Sequence, residues 1–179
     1  MTTCSHIVLM AEYNAWMNTK LYQAARSLPA QELAAQRKAF FGSIIGTLNH
    51  LVVGDTLWLK RFAMHPANHP ALEPIRQLPS PSALNTVLFD DIEQLSSHRS
   101  MLDEVITQWA AALTEADLLE TLHYRNMKGV AAAKRFSSLL MHFFNHQTHH
   151  RGQVSTLLFQ AGVDIGVTDL LALIADEDH

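Results

Sequence analysis

One cysteine is all the chain carries. A lone thiol forms no internal disulfide and builds no thiolate cage for a metal. Its place, Cys4, lies where chain ends fray, so it is also a weak nucleophile candidate. Glycine and proline are scarce, at 7 and 6 residues, which argues against a fold made of many tight turns. Basic residues number 13 against a formal net charge of −4, and they are scattered. With no basic stripe to meet phosphates, nucleic-acid binding is excluded as the main activity. Long apolar runs are missing too. Asn14, Asn18 and Lys20 interrupt the first helical stretch, and no positive charge precedes it. That reads as neither a signal peptide nor a membrane helix, so a cytoplasmic protein with no membrane partner is expected.

Hydrophobic residues make up 48% of the 179 positions, enough for one domain over residues 1–179 with a sizeable core. The apolar positions recur with helical spacing. Val8, Leu9, Ala11, Ala15, Trp16, Leu21, Tyr22 and Ala25 predict a helix over 5–27, and 30–38 looks like a short helical turn. A second long helix is expected from Gly42 to Met64. Residues 65–81 hold five of the six prolines and are expected to form a loop. A third helix is predicted from Ser82 to Leu113, with Leu84, Val87 and Leu88 opening its apolar face and Asp90, Asp91, Glu93, Arg99 and Glu104 solvated. Residues 119–134 alternate around Asn126-Met127-Lys128-Gly129, the pattern of a small β-hairpin. A fourth long helix covers Lys134 to Gln160, and a last short one Asp169 to Ala175. The fold class is therefore all-α, a four-helix bundle with a long loop and a small β-hairpin before the last long helix. The first and third helices carry more apolar residues than one bundle interior needs, which predicts a homodimer.

Eleven histidines are many for this length. His6, His65, His69, His98, His123 and His179 fall at termini, in the loop or on faces expected to be solvated. His142, His146, His149 and His150 cluster on the last long helix, opposite His50 on the second. Histidines four apart share a helix face, roughly 5–6 Å apart at Cβ. Two of them plus His50 would give a three-nitrogen metal site with an open position, the pattern of a working metal. Spacing alone permits His142/His146, His146/His149 or His146/His150 as the pair.

Asn49-His50-Leu51 with Gly54-Asp55 and Trp58, His146-x-x-x-His150-Arg151-Gly152-Gln153, and Tyr13-Asn14-x-Trp16-x-Asn18 resemble the motifs of the DinB/YfiT-like superfamily. The resemblance runs from about Glu12 to Leu170. It implies a four-helix bundle, frequent homodimers, and one divalent metal ion, zinc or nickel, held by His50, His146 and His150. Some relatives are thiol-dependent transferases or isomerases. Around the ligands, Asp55 stands about 140° round the helix from His50, so pairing with Arg151 is expected ahead of a role as base. His149 and Gln153 are candidate pocket residues. Trp16 and Trp58 are expected in the core.

Two classes of function follow. The first is a metalloenzyme acting on a small-molecule substrate, with a low-molecular-weight thiol as the favoured partner: the resemblance includes thiol-dependent members, three neutral imidazoles leave a dication that favours a thiolate, and the chain has no usable cysteine of its own. Metal-dependent hydrolysis ranks lower, since Gln147 stands where a His-Glu-x-x-His site has its base. The second is a non-catalytic metal-binding protein of the stress response.

Overall fold

A computed structural model describes residues 3–176. His179 lies outside the described residues. Helix α1 spans Thr3–Arg26 and short α2 Ala30–Ala34. Helix α3 covers Ile44–Phe62, capped by the Ser43 hydroxyl accepting from the Gly46 N–H at 3.1 Å, a bond that satisfies one orphan donor of the first turn. A 3₁₀ turn at Pro70–Leu72 and α4 at Glu73–Gln77 follow, so the proline-rich segment is partly helical. Prolines at the first positions of these turns cost no hydrogen bond. Helix α5 spans Ile92–Ala112, α6 Glu115–Leu119, β1 Thr121–Arg125, β2 Ala131–Arg135 and α7 Phe136–Gln160. The end of the chain adds one 3₁₀ turn, Leu170–Leu173, in place of the expected helix.

The four long helices close a ring: α1 packs on α5 and α7, and α3 packs on α5 and α7. Their apolar stripes meet in a core that holds Leu21, Leu48, Leu59, Phe62, Leu102, Trp109, Phe143 and Leu158, each 1% exposed or less. Helix α3 has the strongest apolar character. Fourteen of its residues are buried, His50 and Asp55 among them. No described helix is long and apolar enough to cross a membrane.

The hairpin forms as expected. Thr121 pairs with Arg135 and Arg125 with Ala131 in antiparallel register. Asn126 organises the turn, its side-chain oxygen accepting from the Lys128 and Val130 N–H groups. Gly129 there takes φ 77°, a left-handed conformation that glycine adopts without steric cost.

The third long helix starts ten residues later than its apolar pattern suggests. Asp91 caps it by accepting from the Gln94 N–H at 2.9 Å. Residues 82–91 are instead an extended loop tied to α3. The Asn49 side-chain oxygen accepts from the Leu88 and Phe89 N–H groups, and its Nδ2 donates to the Phe89 carbonyl. Backbone donors so committed cannot enter a helix ladder. Leu84 and Val87, assigned to an apolar helix face, are exposed.

Candidate metal centre

Helix α3 supplies His50 and α7 supplies His146 and His150, and the three rings meet where the helices pack. His50 Nε2 lies 3.3 Å from His146 Nε2 and 3.1 Å from His150 Nε2. Of the three pairs that spacing allowed on α7, the structure brings His146 and His150 to His50. His142 and His149 are exposed and stand outside the cluster.

The hydrogen bonds around the rings set their tautomers. His50 Nδ1 lies 2.8 Å from the Leu84 carbonyl. A carbonyl only accepts, so Nδ1 carries the proton and Nε2 keeps its lone pair. His150 Nδ1 lies 2.8 Å from Gln153 Oε1, with the same consequence. Gln153 Nε2 in turn donates to His149 Nε2 at 3.1 Å. Gln153 thus orients a cluster histidine, and His149 orients Gln153.

The Nε2 lone pairs of His50 and His150 face each other at 3.1 Å, which is unfavourable unless a cation lies between them. Burial and the neighbouring imidazoles push the His146 pKa down to about 3, and burial lowers those of His50 and His150. A shared proton is therefore a poor solution near neutrality. A divalent ion with ligands at about 2.0–2.1 Å and tetrahedral angles needs nitrogens about 3.3–3.4 Å apart. The observed separations match that requirement, so His50, His146 and His150 fit a divalent metal.

Packing holds the rings in place. Phe41 stacks on His50 with ring centres 3.7 Å apart and 15° between planes. A Cβ at Gly54 would lie 3.0 Å from His146 Cε1, so glycine at this position makes room for the imidazole. Beyond His50 and His146 opens a cleft of about 350 Å³ whose walls include Leu57, Trp58, Leu84, Met127 and His142. Trp58, expected in the core, is a cleft wall.

Beneath the cluster lies a buried polar network that spans all four long helices. Asp55 pairs with Arg99 of α5 and accepts from Gln147 Nε2 at 2.8 Å. Arg99 also pairs with Asp103 at 2.9 Å. Asp103 accepts from Asn14 and Asn18 of α1, and Asn14 accepts from Arg151. Two carboxylates face two guanidiniums in the bundle interior. Burial raises the Asp55 pKa against the pull of Arg99, and raises that of Asp103 to about 6. Two expectations are corrected here. Asp55 bonds Arg99 rather than Arg151, because it points into the bundle where α5 lies. Arg99, assigned to the solvated side, is 2% exposed. Its place between Leu95 and Leu102 on the apolar stripe was the available signal, and so was that of Asn14 and Asn18 on the buried face of α1.

His65 and His69, expected in solvent, are also buried. They lie near Asp117. This group differs from the first in its commitments. His65 Nδ1 accepts from the Ala67 N–H, and its Nε2 faces the Asp117 carbonyl at 3.3 Å. The Asp117 carboxylate caps α6 through Thr114. Cys4 is in the first turns of α1 rather than in a frayed end, its thiol pushed up to about 11 by burial and by Glu115.

A four-helix bundle with three converging histidines on facing helices defines the class of protein. Its lineage is equally plain: the sequence profile of the DinB family matches residues 1–178, and the chain belongs to that family. It is 27% identical over 159 residues to Protein DinB of Bacillus subtilis (strain 168), a span covering 88% of this chain and 87% of that one. No solved structure gives a significant match.

Proposed function

We propose that this DinB-family protein is a metalloenzyme that holds one divalent ion, nickel or zinc, through Nε2 of His50, His146 and His150. We further propose that it catalyses thiol-dependent transfer on a small molecule. The observation that carries this reading is the convergence of three imidazole Nε2 atoms, with His50 Nε2 at 3.1 and 3.3 Å from the other two. Bound to three neutral imidazoles, the ion keeps its double charge and favours an anion such as a thiolate beside it.

The chain's own residues favour transfer over hydrolysis. A hydrolase built on a helix-borne histidine pair places a carboxylate base beside its first histidine. Gln147 is buried and bonded to Asp55, and Asp55 is itself 1% exposed and spent on Arg99. Among the described residues, no aspartate or glutamate lines the cleft. Cys4, with its raised pKa, offers no thiolate, so the thiol arrives with the substrate. In the transfer, the sulfur loses its proton and bonds to an electrophilic carbon, whose leaving group departs with the electron pair. His142, its pKa lowered by partial desolvation and by Arg61, lines the same cleft and takes the proton. Trp58, Leu57 and Met127 give the cleft apolar walls.

The test combines metal analysis with turnover. Alanine at His50, His146 or His150 should abolish metal retention, whereas His142→Ala should retain metal and slow the reaction. Metal held at wild-type stoichiometry in all three ligand variants overturns the ligand set. A metal-dependent rate with esters or amides but with no member of a thiol panel overturns the transfer reading. We also propose a cytoplasmic homodimer. Its support is the apolar groove between α1 and α7, lined by Ile7, Met10, Leu140, Met141 and Phe144. Light scattering that finds a single species near 20.0 kDa refutes the dimer.

A further inference from the structure

Arg61 is the arginine of the described chain that has no acceptor. Arg26, Arg37 and Arg76 pair with Glu93, Glu32 and Glu73. Arg99 pairs with Asp55 and Asp103. Arg125, Arg135 and Arg151 donate to the Gly129 carbonyl, the Leu119 carbonyl and Asn14. Arg61 makes ring contacts instead. Its guanidinium carbon lies 4.5 Å from the centre of Trp58 and 5.3 Å from that of Tyr124. Burial disfavours its charge. A half-buried cation costs free energy unless something compensates it, and the cation–π contacts do so only in part.

Its position gives that imbalance a use. Gly54, Leu57 and Arg61 all fall within about 40° of the His50 direction on α3, and all four line the cleft beside His146. Lys128, from the hairpin turn, adds a second cation to that cleft, and no carboxylate opposes the pair. A guanidinium presents a planar fork that fits a carboxylate or phosphate with two parallel hydrogen bonds. Stacking on Trp58 holds the fork in place before any ligand arrives, which reduces the entropy lost on binding.

We propose that the cleft takes an elongated small-molecule acid, its carboxylate or phosphate seated on Arg61, its body against Trp58 and its other end at the histidines. Arg61 stands about 16 Å along the helix from His50, and both side chains lean toward the helix N-terminus, the longer arginine further. The two ends of the ligand are then on the order of 10 Å apart or more, too far for a compact acid to bridge. The inference rests on the proposed function only for what happens at the histidine end.

The test uses metal-free protein with inorganic phosphate and glutarate as probes, followed by tryptophan fluorescence. The wild type should give a saturable change that Trp58→Phe removes. Arg61→Gln should raise Kd at least tenfold. Arg61→Lys should fall between, since it keeps the charge and loses the fork. Arg26→Gln, on a remote salt bridge, should match the wild type. Circular dichroism and metal uptake equal to wild type show that the variants are folded, and Arg61→Lys carries the comparison if Arg61→Gln is not. Equal affinity for the probes in wild type and the Arg61 variants overturns the subsite. So does the absence of a saturable change, or a phosphate response that needs added metal. Because the expected probe binding needs no metal, failure of the three-histidine reading and failure of this one appear in different measurements.

Discussion

His50 donates through Nδ1 to the carbonyl of Leu84, 2.8 Å away, so a loop far along the chain decides which nitrogen of a cluster histidine is free. Leu84 is held in turn through Asn49, the residue before His50, which bonds the backbone of Leu88 and Phe89. Partners that orient metal-binding histidines typically affect affinity by about 10–100-fold.

Asn49→Ala should therefore act twice. Removing a buried group with several backbone partners should cost about 1–3 kcal/mol of stability. Release of the loop should also weaken metal binding by about tenfold or more, measured by competition with a chromogenic chelator. An unchanged metal affinity would mean that the Leu84 carbonyl does not position His50.

Gly54→Ala separates affinity from stability. Alanine is favoured over glycine within a helix by about 1 kcal/mol, yet its Cβ would crowd the His146 ring at 3.0 Å. The expected result is weaker metal binding without a matching fall in thermal midpoint. Gln153→Ala, which frees His150 Nδ1, should lower affinity by about 10–100-fold in the same assay.

Asp55→Ala probes the network. Arg99, fully enclosed, would keep Asp103 as its single carboxylate partner, and breaking one side of a buried ion pair costs about 3–5 kcal/mol. Urea denaturation should register that loss while metal stoichiometry stays at the wild-type value. A loss of metal with stability intact would instead give Asp55 a role at the histidines.

The metal-free protein should lose stability in acid over a defined window. His146 has a pKa of about 3 in the folded chain against 6.5 for the free side chain. Between those values the unfolded chain binds a proton that the folded one refuses, so stability falls as pH drops from 6.5 toward 3 and is unaffected above. Urea midpoints from about pH 7.5 to about pH 4 should show a steeper decline for wild type than for His146→Gln. Parallel curves would contradict the burial of a neutral imidazole there.

Much of the bundle was legible in the pattern of residues. The long helices on either side of the prolines follow from apolar spacing, and the hairpin from alternation around Asn126 and Gly129. The late start of α5 was not legible, because the Asn49 side chain that captures residues 88 and 89 is 39 positions away from Leu88. Neither was the solvent exclusion of His65 and His69, which depends on aromatic rings brought in from elsewhere, Phe136 and Trp109.

Sequence by itself determined the helices, the family motifs and the short set of histidines able to hold a metal, since these depend on local spacing and residue chemistry. Which pair on α7 faces His50, which nitrogen each ring presents, and which acid Arg99 answers were decided by the tertiary structure. Those outcomes depend on the rotation of one helix against another and on bonds from distant loops, distances that no local period encodes. Arg61 shows the same division. Its charge and its place on the His50 face are in the sequence, but that its guanidinium meets the rings of Trp58 and Tyr124 and no acceptor among the described residues was decided by the packing of α3 against the hairpin.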